Sequence, residues 1–236
     1  MVVQMQAIVL AGGFGTRLRA RVSDLPKPMA PVAGRPFLEY VLDRLVASGV
    51  SQVSLATGYL SETIEQHFGC AYRGMPLRYS RERVPLGTGG AVLQALRGLP
   101  HGTTLVLNGD TWLDVDLATF FAWCLKMPQS PGVVLREVPQ TGRFGVVALD
   151  GERIVNFGEK CSSGRGWINA GVYGLSLAQL EPFDLPASFS LEIDLFQKHA
   201  AALQMRGYPT RGDFIDIGVP EEFDRAQIEL PRWQAL

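Results

Sequence analysis

Histidine and cysteine are scarce, with three of each in 236 residues. The cysteines Cys70, Cys124 and Cys161 lie far apart and in no ligand-like spacing, which excludes a readable zinc knuckle or disulfide framework. An excess of either charge is also missing. The 22 Lys+Arg nearly balance 23 Asp+Glu, for a formal net charge of −1. That excludes a polybasic binder of nucleic acid or membranes, and an acidic tail. No apolar run approaches the roughly 20 residues that span a bilayer. The first ten residues lack the positive flank and apolar stretch of a secretory signal. These shortages predict a soluble cytoplasmic chain with neither nucleic acid nor membrane as a partner.

What is present is core material and glycine. Hydrophobic residues make up 47% and charged residues 19%, enough for a sizeable packed core. Glycine supplies 26 of the 236 residues, against a usual share of about 7%. Such an excess suggests backbone that must come close to something.

Short apolar runs alternate with amphipathic stretches. Ala7–Ala11 reads as a strand buried on both faces, as in parallel sheets. Phe37, Leu38, Val41, Leu42, Leu45 and Val46 recur at helical spacing before Gly49, and Gln52–Ala56 is the next strand, so the chain opens with a βαβ unit. Helices near Ser61–His67 and Thr88–Arg97 alternate with strands near Leu77–Ser80 and Thr104–Asn108. Beyond Pro128, Gly132–Val138, Phe144–Leu149, Arg153–Phe157 and Trp167–Leu175 read as strands joined by turns, a mixed or antiparallel extension of the sheet. A helix over Ser190–His199 with Ser190 as cap, a strand near Phe214–Ile217 and a helix over Pro220–Ile228 complete the pattern. The four tryptophans, Trp112, Trp123, Trp167 and Trp233, read as packing residues.

Leu10-Ala-Gly-Gly-Phe-Gly-Thr-Arg-Leu18 follows the first buried strand, where α/β sheets place ligands. Three glycines in four positions free amide N–H groups to point at phosphate oxygens, and Arg17 adds a planar fork for a phosphate. Lys27 lies between Pro26 and Pro28, which predicts extended backbone there. Together these residues suggest a triphosphate clamp. The plainer alternative is a glycine-rich turn with a surface arginine. Leu18 stands where the third glycine of a dinucleotide fingerprint belongs, and a Walker loop is absent.

Two strands end on carboxylates. Leu105–Thr111 runs into Asn-Gly-Asp at Asp110, and Phe214–Gly218 is an apolar run interrupted by Asp216. Mg²⁺ takes oxygen ligands and is commonly held by one or two carboxylates with substrate phosphates. A strand-end Asp can equally be a turn residue, but an acid inside Phe-Ile-Asp-Ile-Gly needs a partner or a metal.

The glycine loop followed by Leu25-Pro-Lys-Pro-Met29 resembles the signature of the sugar-1-phosphate nucleotidylyltransferases, and the resemblance runs from about Gln6 to Ile228. It implies a single-domain, Rossmann-like α/β fold of the glycosyltransferase-A kind, with a mixed, mainly parallel central sheet and helices on both faces. A nucleotide-binding half would cover about 5–127 and a sugar-binding half about 128–230. The segments Ser23–Tyr40 and Asp213–Gly218 look most like the D-glycero-D-manno-heptose 1-phosphate guanylyltransferases. The resemblance further implies a possible homo-oligomer, and nucleotide sugars made for bacterial capsule or surface polysaccharide.

By the same resemblance, the nucleotide meets Leu10, Ala11, Gly12, Gly13, Gly15, Thr16 and Arg17, with Lys27 on the phosphates. Glu82 would read the base edge, and Gly87 and Thr88, with Gly89 and Gly90, would approach base and ribose. A glutamate only accepts hydrogen bonds, and guanine offers adjacent N1–H and N2–H donors, so GTP is favoured. Asp110 and Asp216 match the Mg²⁺ pair. Gly145, Glu159, Lys160, Asn169 and Gly171 match sugar-binding positions, Lys160 at the 1-phosphate. The plainer alternatives are a solvated loop acid for Glu82 and a surface ion pair for Glu159-Lys160.

The expected reaction is attack of a sugar 1-phosphate oxygen on the α-phosphorus of the triphosphate, with pyrophosphate leaving. A phosphate nucleophile is already ionised at neutral pH, which suits a chain whose motifs contain no histidine. Catalysis would rest on Arg17, Lys27, Asp110 and Lys160 through positioning and charge neutralisation. Mannose 1-phosphate with GTP, a pyrimidine nucleotide with another sugar phosphate, and a regulatory nucleotide-sugar-binding homologue are the alternatives.

Overall fold

The computed structural model describes residues 4–13, 25–142, 144–158 and 164–233. The N-terminal part contains β1 (Gln6–Leu10), a 3-10 turn (Lys27–Met29), the ribbon β2 (Pro31–Val32) and β3 (Arg35–Pro36), and α1 (Phe37–Ala47). It continues with β4 (Gln52–Thr57), α2 (Ser61–Phe68), β5 (Ala71–Tyr72), β6 (Met75–Arg81), α3 (Gly87–Arg97), β7 (Thr104–Asn108), β8 (Thr111–Leu113) and α4 (Leu117–Cys124). Beyond lie β9 (Gly132–Val138), β10 (Val146–Asp150), β11 (Arg153–Phe157), β12 (Gly166–Leu175) and α5 (Leu177–Leu180). A π-helix (Leu191–Phe196), α6 (Gln197–His199), β13 (Arg206–Thr210), β14 (Phe214–Asp216) and α7 (Pro220–Trp233) follow.

Ten strands form one sheet in the order β10-β11-β13-β9-β12-β7-β1-β4-β6-β5. β1 lies between β4 and β7, parallel to both, so its side chains are buried on either side. Ala7 and Val9 join one hydrophobic cluster with residues of α1, α2, α4 and α7. Ile8 points to the other, formed with α3, α5 and the π-helix. Helices thus cover both faces, as the alternation of a strand requires. Each fully buried aliphatic side chain contributes roughly 1.5–3 kcal/mol of transfer free energy.

The sheet is mixed, but mainly parallel only in its N-terminal part. β6, β4, β1 and β7 run parallel to one another, whereas β12 is antiparallel to β7, β9 and β10, and β10 and β11 form a hairpin. The reason is connection length: a two-residue link at Gly151-Glu152 can only reverse the chain, while parallel neighbours need a crossover. β13 is parallel to β9, although Arg-Gly-Tyr-Pro-Thr has poor strand propensity. Its pairing with β11 is confined to Arg206, so Pro209 lies beyond it and owes that neighbour no N–H.

Two further expectations are corrected. Lys27 is not extended: Pro26 is, and the chain then turns, with the Met29 N–H donating to Pro26 O (2.7 Å) and Ala30 N–H to Lys27 O (3.0 Å). The helix expected over Ser190–His199 is π-helical in its first part. Gln197 N–H reaches back to Glu192 O, while the Ser190 hydroxyl caps Ile193 N–H at 3.1 Å. Such wide turns recur at functional sites.

Candidate active site

The parallel strands deliver their loops to one edge. β1 ends at Leu10 before Gly12 and Gly13, β6 ends just before Glu82, and β7 ends just before Gly109-Asp110. The strand ends are locked together by Gly109 N–H to Leu10 O (2.9 Å), Ala11 N–H to Ala56 O (2.8 Å) and Glu82 N–H to Thr57 O (2.8 Å). Glu82 folds over Gly12, where a Cβ would lie 2.6 Å from its Oε1. Its Oε2 accepts the Leu86 N–H at 2.9 Å. Burial raises the Glu82 pKa above the ordinary 4.5, and the Leu86 hydrogen bond opposes that.

Asp110 and Asp216 meet through a second device. β14 pairs antiparallel with β8, setting Asp216 opposite Thr111, and Ile217 N–H donates to Asp110 O at 3.1 Å. Lys27 Nζ, its side chain 10% exposed, lies 2.5 Å from Asp110 Oδ2 and 3.9 Å from Asp216 Oδ1. Gly218 N–H also donates to Asp216 Oδ1 (2.7 Å). Two oxygen donors already share one cation here, a donor set that suits Mg²⁺ completed by water and phosphate oxygens. Among the described residues, no cluster of three or more His, Cys, Asp or Glu stands ready to hold a metal.

Two cavities flank this pair. The first, about 270 Å³, is lined by Leu10, Gly12, Gly13, Lys27, Glu82, Gly87 and Thr88. The second, about 580 Å³, is lined by Gly145, Asn169, Glu192, Ile193 and Asp216. Asn108 and Asp110 line both. Ala11 lines neither: it is fully buried and its N–H is used within the sheet. Gly171 is also absent from both linings and backs onto Asn108 and Thr111 instead. Gly89 and Gly90 line neither cavity and are close-packed, since a Cβ there would lie 2.0 Å from Phe189 Cε2 or 2.4 Å from Ala187 O. Gly15, Thr16, Arg17, Glu159 and Lys160 lie outside the described residues.

The cavities are joined by a network that sequence reasoning missed. Glu192 Oε2 accepts from the hydroxyls of Thr88 (2.9 Å) and Ser190 (3.1 Å), and its Oε1 accepts from the Tyr173 phenol (3.1 Å). Leu191 N–H donates to Thr88 Oγ1 (2.9 Å), and Asn169 Nδ2 donates to the Tyr173 phenol (3.0 Å). Full burial, then the Glu192 charge, drives the Tyr173 pKa well above its usual value. Thr88 therefore spends its hydroxyl hydrogen on Glu192 of the larger cavity, and Asn169 one amide hydrogen on buried Tyr173. The Ser190-Leu-Glu192 cap was legible, but nothing in its spacing announces a π-turn.

A pair of carboxylates between two cavities, beside a glycine-rich strand end, is the arrangement of an enzyme that joins two phosphate-bearing substrates. Consistent with it, the family model described as nucleotidyl transferase matches residues 6–230, and the chain belongs to that family. It is an enzyme of nucleotidyl transfer. More particularly, it is 40% identical over 229 residues to the D-glycero-alpha-D-manno-heptose 1-phosphate guanylyltransferase of Aneurinibacillus thermoaerophilus, covering 97% of this chain and 100% of that protein. The mannose-1-phosphate guanylyltransferase of Mycobacterium tuberculosis is 35% identical over 97% of this chain, which spans only 65% of that longer protein. Among solved structures, HddC from Yersinia pseudotuberculosis complexed with GMP-PN superposes with a TM-score of 0.83 at 30% identity, covering 95% of this chain and 98% of that one.

Proposed function

We propose that this enzyme transfers a guanylyl group from GTP to D-glycero-D-manno-heptose 1-phosphate, forming GDP-heptose and pyrophosphate for capsule or surface polysaccharide. The observation that carries this reading is the 40% identity to a heptose 1-phosphate guanylyltransferase over the whole of that protein. Glu82 supports the choice of base: it lines the smaller cavity, and a carboxylate can accept from guanine. Mannose 1-phosphate is the second reading, favoured by the Mycobacterium relative.

In this scheme the smaller cavity holds GTP and the larger the sugar phosphate. A sugar phosphate oxygen forms a bond to the α-phosphorus as the bond to pyrophosphate breaks. Leu10, Gly12, Gly13, Gly15 and Thr16 form the phosphate loop, Arg17 and Lys27 neutralise the leaving pyrophosphate, and Lys160 aligns the nucleophile. Glu159, Gly145 and Asn169 shape the sugar side, with Gly171 packed behind Asn108. Asp110 and Asp216 would hold Mg²⁺, which when bound neutralises charge on the transferring phosphates. Lys27 then has to leave the carboxylates for phosphate, a short exchange of one cation for another. The chain works as one domain, with its nucleotide half at about 5–127 and its sugar half at about 128–230, in the cytoplasm and with scope for homo-oligomers.

Pyrophosphate release measured over a matrix of GTP, UTP, dTTP and ATP against heptose, mannose and glucose 1-phosphates tests the reading. GTP with the heptose phosphate is expected to have the highest kcat/KM. Preference for UTP or dTTP would overturn the base assignment, and preference for mannose 1-phosphate the sugar assignment.

A further inference from the structure

Of the two residues shared by the cavities, Asp110 is held by Lys27, but the side chain of Asn108 has no such partner among the described residues. Its Oδ1 is buried and unpaired among the described residues. Behind it lies a small cavity of about 10 Å³, lined in part by Asn108, Thr111, Trp112 and Val172. Trp112 is 5% exposed, and its indole Nε1 is likewise buried and unpaired. An amide oxygen accepts and an indole N–H donates, so the two groups are complementary. Left unsatisfied, each costs roughly 1–3 kcal/mol. A space of this size is about one water probe.

The other end of the amide is set by β12. Between Asn169 and Tyr173 the strand bulges against β9, and Gly171 takes φ +73°. A Cβ on Gly171 would lie 2.5 Å from Asn108 Nδ2 and 3.1 Å from Thr111 Oγ1. The bulge therefore leaves just enough room for the amide. With Oδ1 turned inward, the NH2 is the part of Asn108 left to face the two cavities.

We propose that Asn108 is a further catalytic residue: its amide N–H donates to a non-bridging oxygen of the phosphoryl group passing between the cavities. One buried water joins Asn108 Oδ1 to Trp112 Nε1 and holds the amide in that orientation. No bond to Asn108 forms or breaks. The donor is aimed where negative charge builds as pyrophosphate departs, which is where a fixed hydrogen bond accelerates most. Were the amide reversed, its oxygen would face phosphate and repel it. Trp112 is thus a positioning residue, acting through the water. The inference rests on nucleotidyl transfer and is independent of which base or sugar is used.

The test uses the full-length enzyme with whichever nucleotide and sugar phosphate pair the wild type turns over best. N108A is expected to lower kcat about 10²-fold with both KM values near wild type, and N108D, similar in shape but negative, by at least as much. W112F keeps an aromatic ring without the donor and is expected to lower kcat roughly five- to tenfold. The double variant N108A/W112F should be no worse than N108A, because both remove one unit. An N108A kcat within twofold of wild type, a loss wholly in KM, or additive effects would overturn the proposal. A high-resolution crystal structure of the wild type decides even if W112F misfolds or no substrate pair is found. A water between Oδ1 and Nε1 supports the proposal, and an empty cavity or an amide turned the other way sinks it.

Discussion

The two halves of the sheet reach the same site by different means. On the parallel side, Gly12, Gly58, Glu82 and Asp110 all follow the carboxyl ends of β1, β4, β6 and β7. Parallel strands share a direction, so every loop at that edge faces the same ligand space. On the antiparallel side no single edge exists, and functional groups come from interruptions: the bulge at Gly171, the π-helix that carries Glu192, and the short ribbon that brings in Asp216. Regular structure builds the edge of the smaller cavity, and irregular structure that of the larger.

The sharpest way to break that contrast is at the junction. Asp110→Asn should lower kcat about 10³-fold while the melting temperature stays near wild type. A loss confined to the KM of one substrate would show that Asp110 belongs to one half alone. Next in size is Glu82→Gln, which replaces an acceptor by an amide that also donates. The kcat/KM for GTP should fall about ten- to hundredfold, with little change for UTP, as measured by pyrophosphate release.

The pH dependence of Glu82 follows from its environment. Burial raises its pKa above the ordinary 4.5, so on acidification it protonates earlier than a solvated glutamate. The KM for GTP should therefore rise as pH falls toward that range, while in Glu82→Gln the rise is absent. A smaller effect is expected across the halves at Glu192→Gln. The KM for the sugar phosphate should rise about fivefold, with the GTP KM unchanged. Equal movement of both KM values would mean that the Thr88 to Glu192 bond couples the pockets, and the halves are not separable.

The smallest effect lies on the strand-rich surface. Arg165 and Arg211 hydrogen-bond Glu137 and lower its carboxyl pKa to about 2. Its folded pKa is depressed, so the stabilisation is present above the ordinary 4.5 and is lost as pH falls through about 2. Because the two arginines are exposed, Glu137→Gln should lower the melting temperature at pH 7 by no more than about 2 °C.

Much of the parallel side was legible in the chain. β7 and α1 begin where their apolar spacing placed them, and Glu82, Gly87 and Asp110, each singled out by its motif, line one cavity. These features are local: a strand, a turn and the residue after it are specified within about ten positions. β13 was not legible, because Gly207 and Pro209 argue against a strand and only its long-range pairing with β9 overrides them. Glu192 was hidden for a related reason. Its three hydroxyl partners, Thr88, Tyr173 and Ser190, come from three separate segments.

The glycine excess shows where the division falls. Motif and composition are properties of neighbouring residues, so the chain alone carries the alternation of strands and helices, the phosphate-loop signature and the acids at strand ends. Which glycines serve a ligand depends on what packs against them from far along the chain. Gly12 makes way for Glu82, Gly89 for Phe189, and Gly171 for Asn108. Close approach is a contact in space, and it exists only once the sheet has brought those segments together.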